Sequence, residues 1–337
     1  EDPFLYDVTY EVLDSAGKVI DRVGSYAGLR KIAIIGRKIY LNNREIFLRL
    51  VLDQGFYPDG IWTAPSDAAL KRDIELGMAA GFNGARLHQK VFEERYHYWA
   101  DKLGYLTFGE SASWGTGFFG RSKPDSAAYW QSALLFFDEW RQIVERDFNH
   151  PSIIVWTLAN ETGGAKSPYY AFLIQELYRL VKTLDSTRPI SDCSGWIHVK
   201  TDFWTIHTYA PTGQKLQERL TADHAAEKNG AVYAKMPYLV DEWGGFRFIP
   251  PARWSSTGDS WGYNNLNIKT EDDLCRLIAE QIKVMMADPD LAGYCYTQLT
   301  DVEQEQNGVY NYDRTPKVSA GKLKMLFGQE PSRFNRK

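Results

Sequence analysis

The sequence predicts an α/β chain, a (β/α)8 TIM barrel led by a short N-terminal β segment. Three observations predict it. From about residue 46 onward, short apolar, β-branched runs alternate with longer helix-like runs, and eight strand candidates are spread over about 290 residues. Before that point the pattern has period two instead. Polar and aromatic residues then follow the apolar runs directly, at the C-terminal strand ends where such barrels carry their sites. A doubly wound open sheet shares the alternation and stays open as the alternative.

The elements follow in order. Tyr6, Val8, Tyr10 and Val12 alternate, Asp14-Ser15-Ala16-Gly17 turns the chain, and Val19-Ile20-Asp21-Arg22-Val23 returns it. That is a hairpin, too short to be stable alone. It is either the remnant of a preceding β-domain or packs on the α/β region after it. The candidate strands are residues 46–51, 84–87, 105–108, 153–158, 189–191, 203–207, 238–241 and 292–296. Helices are expected at 66–80, 93–103, 126–149, 169–184, 216–228, 270–287 and 318–326. Ser66 and Thr270 suit N-caps.

Bulk properties narrow the function. A chain of 337 residues holds one large domain, or one large domain and a small one. Its 39 basic and 43 acidic side chains give a formal charge of -4, so nothing draws it to nucleic acid or an anionic membrane. No apolar run approaches membrane-spanning length. The three cysteines, Cys193, Cys275 and Cys295, cannot all pair within one chain and make no CxxC. Six histidines form no HxH or HExxH, so neither a metal nor another cofactor is expected. The 11 Trp, 20 Tyr and 17 Phe offer flat faces that suit sugar rings. Glu1-Asp2-Pro3-Phe4 is not a signal peptide and lacks Met, as in a processed, truncated or partial chain. Compartment and oligomeric state are not legible.

The strand tips hold the candidates. They are Asp53, then Arg86 and His88, then Glu110, Asn160-Glu161, His207 and Tyr209, Asp241-Glu242-Trp243, and Tyr296 with Gln298. Glu161 and Glu242 each follow an apolar strand. Paired carboxylates across a cleft are the machinery of glycoside hydrolysis, one protonating the leaving oxygen and the other attacking or activating water. Asp241 is expected to point away, since neighbouring strand residues face opposite sides.

Five segments together resemble the catalytic domain of glycoside hydrolase family 2, which contains β-galactosidases, β-glucuronidases and β-mannosidases. They are Leu41-Asn42-Asn43-Arg44-Glu45-Ile46-Phe47-Leu48-Arg49, Gly81-Phe82-Asn83-Gly84-Ala85-Arg86, and Trp99-Ala100-Asp101-Lys102-Leu103-Gly104-Tyr105 leading to Glu110. The other two are Asn149-His150-Pro151-Ser152 through Asn160-Glu161, the most specific, and Asp241-Glu242-Trp243-Gly244-Gly245. The resemblance spans about residues 36–315. It implies a retaining exo-β-glycosidase acting on an oligosaccharide or glycoside, with β-galactosidase leading and β-glucuronidase or β-mannosidase as alternatives. A carbohydrate-binding barrel without activity is the rival of another class. Glu161 would be the acid/base and Glu242 the nucleophile, with carboxyls about 5–5.5 Å apart. Asn160 would hold the hydroxyl beside the anomeric carbon, Tyr209 would bond the nucleophile and Arg86 would brace it. Asp53, His88, Glu110, His207, Trp243 and Tyr296 would complete the pocket. Residues 1–34 would be the C-terminal remnant of an immunoglobulin-like β-sandwich domain, and 35–337 the barrel.

The chain departs from the family at Leu87-His88-Gln89-Lys90-Val91, at Asp241 and Trp243 beside the nucleophile, and at Tyr296, where relatives often carry Trp. These departures touch sugar choice more than reaction type. A uronic acid would need cationic or amide donors, for which Lys90, Arg247 and Arg253 are the candidates. Gly115-Thr116-Gly117-Phe118-Phe119-Gly120 fits GxGxxG, but its Phe pair and the nearby Pro124 spoil a phosphate loop. Trp114, Phe118 and Phe119 read better as an aromatic loop over the cleft. Asn160-Glu161-Thr162 fits a glycosylation sequon in an unsuitable place.

Overall fold

Period-two alternation shapes the first elements. β1 (Tyr6–Leu13) and β2 (Val19–Ala27) form the expected antiparallel hairpin. β3 (Ile32–Ile35), β4 (Lys38–Leu41) and β5 (Arg44–Ile46) form a separate three-stranded sheet. The expected domain boundary between residues 34 and 35 thus falls inside β3. This computed structural model describes residues 3–114, 127–162, 168–224, 227–228, 231–251, 260–264 and 266–334.

The barrel strands are β6 (Leu48–Asp53), β7 (Gly84–Leu87), β8 (Leu106–Glu110), β9 (Ile153–Thr157), β10 (Ile190–Ser191), β11 (Trp204–Thr208), β14 (Tyr238–Gly244) and β15 (Leu291–Thr297). All are parallel, in the order β10-β9-β8-β7-β6-β15-β14-β11. The sheet nearly closes, and the barrel prevails over the open-sheet alternative. The β10–β11 seam is bridged where Asp202 N donates to Ile190 O at 2.8 Å and Gly195 N donates to Thr205 Oγ1 at 3.1 Å.

Helices cover the outside: α1 (Asp67–Ala80), α2 (Glu94–Leu103), α3 (Ala127–Asp147), α4 (Pro168–Leu184), α5 (Gly213–Asp223), α6 (Glu271–Ala287) and α7 (Ala320–Phe327). Ser66 caps α1, and Thr270 with Asp273 forms a capping box on α6. The helix expected at 216–228 starts earlier and stops at Asp223. Residues beyond it form the short ladder β12 (Glu227–Lys228) with β13 (Ala231–Val232). The first barrel strand also starts two residues later than expected, because Arg44–Ile46 pairs with β4. The three cysteines are unpaired.

Leu48, Leu50, Leu52, Phe108, Leu239 and Cys295 fill the barrel interior, joined from below by Ile32 and Ile39 of the small sheet. Burying such a layer contributes about 1.5–3 kcal/mol per large side chain. The strand β9 matters most for the site, since Asn160 and Glu161 lie just past its tip. Its lower end is fastened by polar bonds. Asp101 accepts from Ser152 N at 2.7 Å and lies 2.7 Å from His150 Nδ1. Arg188 donates to Ile153 O, Phe148 O and His150 O, and pairs with Asp185, which also accepts from Trp156 Nε1. Arg188 and Asp185 are both buried.

Removing one member of such a pair strands the other charge in the interior. Arg188→Met is expected to lower the unfolding free energy by about 3–5 kcal/mol. Urea denaturation checks this; an unchanged midpoint would show that the network does not hold β9.

Candidate active site

Arg86 is the hub of the upper rim. In β7, Ala85 and Leu87 face the helices while Arg86 faces the barrel axis, as strand alternation requires. Its Nε donates to Glu110 Oε2 at 2.9 Å, and Nη1 donates to Asp241 O at 3.0 Å. Nη2 donates to Asn160 Oδ1 at 2.7 Å and to His88 Nδ1 at 2.6 Å, and lies 2.9 Å from Glu242 Oε1. Burial disfavours the guanidinium's charge, but Glu110 and Glu242 overcome it and hold the group firmly protonated. His88 is driven the other way by burial and Arg86, and stays neutral as the acceptor its bond requires. Burial pushes Glu110 up to about 7 against the pull of Arg86.

Glu242 is held on both oxygens. Oε1 faces Arg86, and Oε2 accepts from the Tyr209 hydroxyl. The Tyr209 ring lies flat on Tyr263, with centroids 3.8 Å apart and 9° between planes. Gly245 makes that stack possible. Its φ is +58°, and a Cβ there would come within 2.7 Å of Tyr263 and 2.9 Å of Tyr209. Glu161 sits across from Glu242 with a left-handed φ of +47°, its side chain more than one-third exposed. A carboxylate oxygen of Glu161 and one of Glu242 lie within 4.8 Å of each other.

His207 stands between the acids. Its Nδ1 is 2.6 Å from Glu161 Oε1 and 3.4 Å from Glu242 Oε2. Its Nε2 is 2.8 Å from Ser194 Oγ and 3.4 Å from Asp241 Oδ1. Burial opposes the imidazolium, yet Glu242 and Asp241 raise His207 to about 10. Asp241 is held below the usual carboxylate range, since His207 and its bonds outweigh burial. Glu161, His207 and Glu242 form a trio whose ligand atoms lie within 4.8 Å of one another, a juxtaposition that sequence spacing did not reveal.

Asp241 corrects the expectation that it points away. It reaches Ser194 and His207 in the same network as Glu242. The cause is a bulge: Ile206 pairs with Val240 and His207 with Glu242, so Asp241 is the extra residue. Against β15 the register likewise runs from Val240–Tyr294 to Trp243–Tyr296.

Arg86, His88, Glu110, Asn160, Glu161, His207, Tyr209 and Glu242 meet at one mouth. Three expected pocket residues do not. Trp243 and Tyr296 pack edge to face at 5.1 Å, and both lie against Phe327 of α7, in the layer between sheet and helices. Asp53 follows the inward Leu52 and so faces outward, where burial and nearby Asp73 push it up to about 7. The next residue, Gln54, reaches the mouth instead, donating to Gln298 Oε1 at 2.7 Å and Glu305 Oε2 at 3.1 Å. Parity counted from Leu48 would have found Gln54. No local pattern marks Ser194, Trp196, Tyr263 or Glu305, which arrive on loops.

Exposed aromatics edge the opening. Trp114 lies 6.1 Å from His88 and 6.2 Å from Trp62, and Trp196 stands 5.7 Å from His207. Phe118, Phe119, the GxGxxG stretch and Arg253 lie outside the described residues. Lys90 is buried and donates to Gly55 O and Trp62 O. Arg247 Nε donates to Ser260 Oγ at 2.7 Å. In the sequon, Asn160 is gripped by Arg86 and Thr162 is buried. No helix among the described residues is long and apolar enough to cross a membrane.

The family model "Glycosyl hydrolases family 2, TIM barrel domain" matches residues 32–329. The β-galactosidase of Pseudoalteromonas haloplanktis is 28% identical over 190 residues, covering 56% of this chain and 17% of that protein. The β-galactosidase 2 of Enterobacter cloacae gives 28% over 190 residues, with 56% and 18% covered. Among solved structures, the β-galacturonidase from Eisenbergiella tayi bound to galacturonate superposes with a TM-score of 0.74 at 21% identity, covering 97% of this chain and 58% of that one. The β-glucuronidase of Ruminococcus gnavus gives 0.72 at 19%, with 96% and 57% covered. The matched stretch thus spans under one-fifth of these curated relatives, and under three-fifths of these solved chains. At these identities the structural likeness is one of fold.

The charge of His207 makes a stability prediction. Its folded pKa of about 10 exceeds the ordinary 6.5, so its contribution is fully present below pH 6.5 and is lost as pH rises through 10. Unfolding free energy measured from pH 6 to about 10.5 is expected to fall less steeply in His207→Asn than in the wild type. Equal slopes would rule out a charged His207.

Proposed function

Since this chain belongs to glycosyl hydrolase family 2 through its barrel domain, we propose that it is a retaining exo-β-glycosidase acting by double displacement. The observation that carries this reading is the approach of Glu161 and Glu242 within 4.8 Å over the strand tips. A nearest-oxygen approach this short fits carboxyl groups about 5–5.5 Å apart, the separation of direct attack and retention.

In the first step, Glu242 attacks the anomeric carbon as the bond to the leaving oxygen breaks, and Glu161 gives that oxygen a proton. In the second, water attacks the same carbon, Glu161 takes its proton, and Glu242 is released with configuration retained. Arg86 and Tyr209 keep Glu242 aimed. With its carbonyl oxygen on Arg86, Asn160 turns its NH2 the other way, toward the hydroxyl next to the anomeric carbon. Such a contact strengthens in the transition state, where it lowers the barrier. His207 stands between the acids, 2.6 Å from Glu161 Oε1 and 3.4 Å from Glu242 Oε2, and holds their oxygens in place. The aromatic edge of Trp62, Trp114 and Trp196 offers flat faces to the ring or the leaving group.

For the sugar, β-galactoside is the leading reading, supported by the curated relatives; β-glucuronide and β-mannoside are the alternatives within the family. A panel of nitrophenyl β-glycosides decides among them, and turnover of the glucuronide alone would overturn the leading reading. Glu161→Gln and Glu242→Gln are each expected to lower kcat by about 10²–10⁴-fold or more. A 2-fluoro glycoside should leave a covalent sugar on Glu242, read by mass spectrometry of the peptide. Full activity in either variant, or label on another residue, would sink the mechanism.

A further inference from the structure

Glu305 is a buried carboxyl group at the mouth that takes no part in the double displacement. A ring of side chains fixes it. Gln54 Nε2 donates to Glu305 Oε2 at 3.1 Å and to Gln298 Oε1 at 2.7 Å. Gln298 Nε2 donates to Asn307 Oδ1 at 2.8 Å, and Asn307 Nδ2 donates to Glu305 Oε1 at 3.2 Å. Each amide has a single orientation in this ring, and the donors converge on Glu305 from both sides. Tyr263 is a further hydrogen-bond partner, and its ring lies on Tyr209, which holds Glu242. The ring therefore forms a wall beside the candidate nucleophile, where burial, with Glu242 adding to it, pushes the Glu305 carboxyl up against the pull of Asn307, Gln54 and Tyr263.

A carboxyl group that receives a donor on each oxygen has further lone pairs for a ligand. A sugar hydroxyl can donate to it. A sugar carboxylate carries no proton to donate at neutral pH, and brings a negative charge into a poorly screened cleft lined by carboxyl groups. Among the described residues, the cations Arg86, Lys90 and Lys317 are already committed. Arg86 is shared among Glu110, Asp241 O, Asn160 and Glu242. Lys90 is spent on Gly55 O and Trp62 O, and Lys317 on Asp301 and Phe248 O. Among the described residues, Arg86 and His207 face Glu110, Glu161, Asp241, Glu242 and Glu305 across one mouth.

We propose that Gln54, Gln298, Glu305 and Asn307 form the wall that reads the substrate sugar, accepting its hydroxyl donors and rejecting uronic acids, so that the substrate class is a neutral sugar. This deepens the glycosidase reading of the same site and rests on it for the placement of the sugar.

The test uses binding, so that it does not depend on turnover. The whole chain is titrated calorimetrically with two galacto-configured iminosugars that differ only in carrying a hydroxymethyl group or a carboxylate. The neutral compound is expected to bind at least about 30-fold more tightly, a difference of about 2 kcal/mol. In Glu305→Gln the ratio should narrow by about tenfold. Equal or tighter binding of the carboxylate, as an Arg247 clamp would give, overturns the proposal. So does an unchanged ratio in Glu305→Gln, or binding of neither compound. If the unfolding midpoint shows that Glu305→Gln does not fold, the wild-type ratio decides alone. Selective binding with no turnover of any β-glycoside would instead end the glycosidase reading and leave the selection of neutral sugars standing.

Discussion

A single buried guanidinium organises the mouth of this barrel. Arg86 is buried out of reach of bulk solvent, so its charge requires acids around it, and its planar fork sets where they stand. Glu110 takes one edge; Glu242, Asn160 and His88 share the other. Four barrel strands, β7, β8, β9 and β14, are thereby tied at their upper ends by one side chain. The cost of burying the charge is offset only while all these partners are present, which makes the arrangement a specification of geometry more than a source of net stability.

That constraint explains the bulge in β14. A regular strand would send Asp241 and Glu242 to opposite faces. The extra residue lets both reach the mouth, and two adjacent anions there require a cation. His207, at the end of β11, supplies it, itself pushed up to about 10 despite full burial. Gly245 then lets Tyr209 and Tyr263 stack tightly enough to hold Glu242 from the other side. Site and sheet irregularity are one feature.

The segment from Asn149 to Glu161 has two jobs at its two ends. Its lower end is bound to Asp101 and Arg188 beneath the barrel. Its upper end presents Asn160 to Arg86 and Glu161 to His207. The motif therefore spans the barrel height. Much of what makes it recognisable is the fastening of a strand, and only its last two residues meet the sugar in the proposed reaction.

The alternation of apolar runs and amphipathic helices was sufficient to predict eight parallel strands with helices outside, because burial on both faces leaves a clear mark on composition. It was also sufficient to put Arg86, Glu110, Glu161, Tyr209 and Glu242 at strand tips. Side-chain direction was less legible. Asp53, Trp243 and Tyr296 sit at the right height but on the outer face: Asp53 follows the inward Leu52, and register shifts between β14 and β15 hide the parity of Trp243 and Tyr296. Glu305, Tyr263 and Ser194 were not legible at all, because loops carry no periodicity. Sequence by itself determined the alternation of strands and helices and the pair of acids, properties of local pattern. Only the tertiary structure decided that the sheet closes as a barrel, which side chains share the mouth, that His207 bridges the acids, and that three amides and a carboxyl group bond to one another beside Tyr263. Those depend on close packing between residues far apart in the chain.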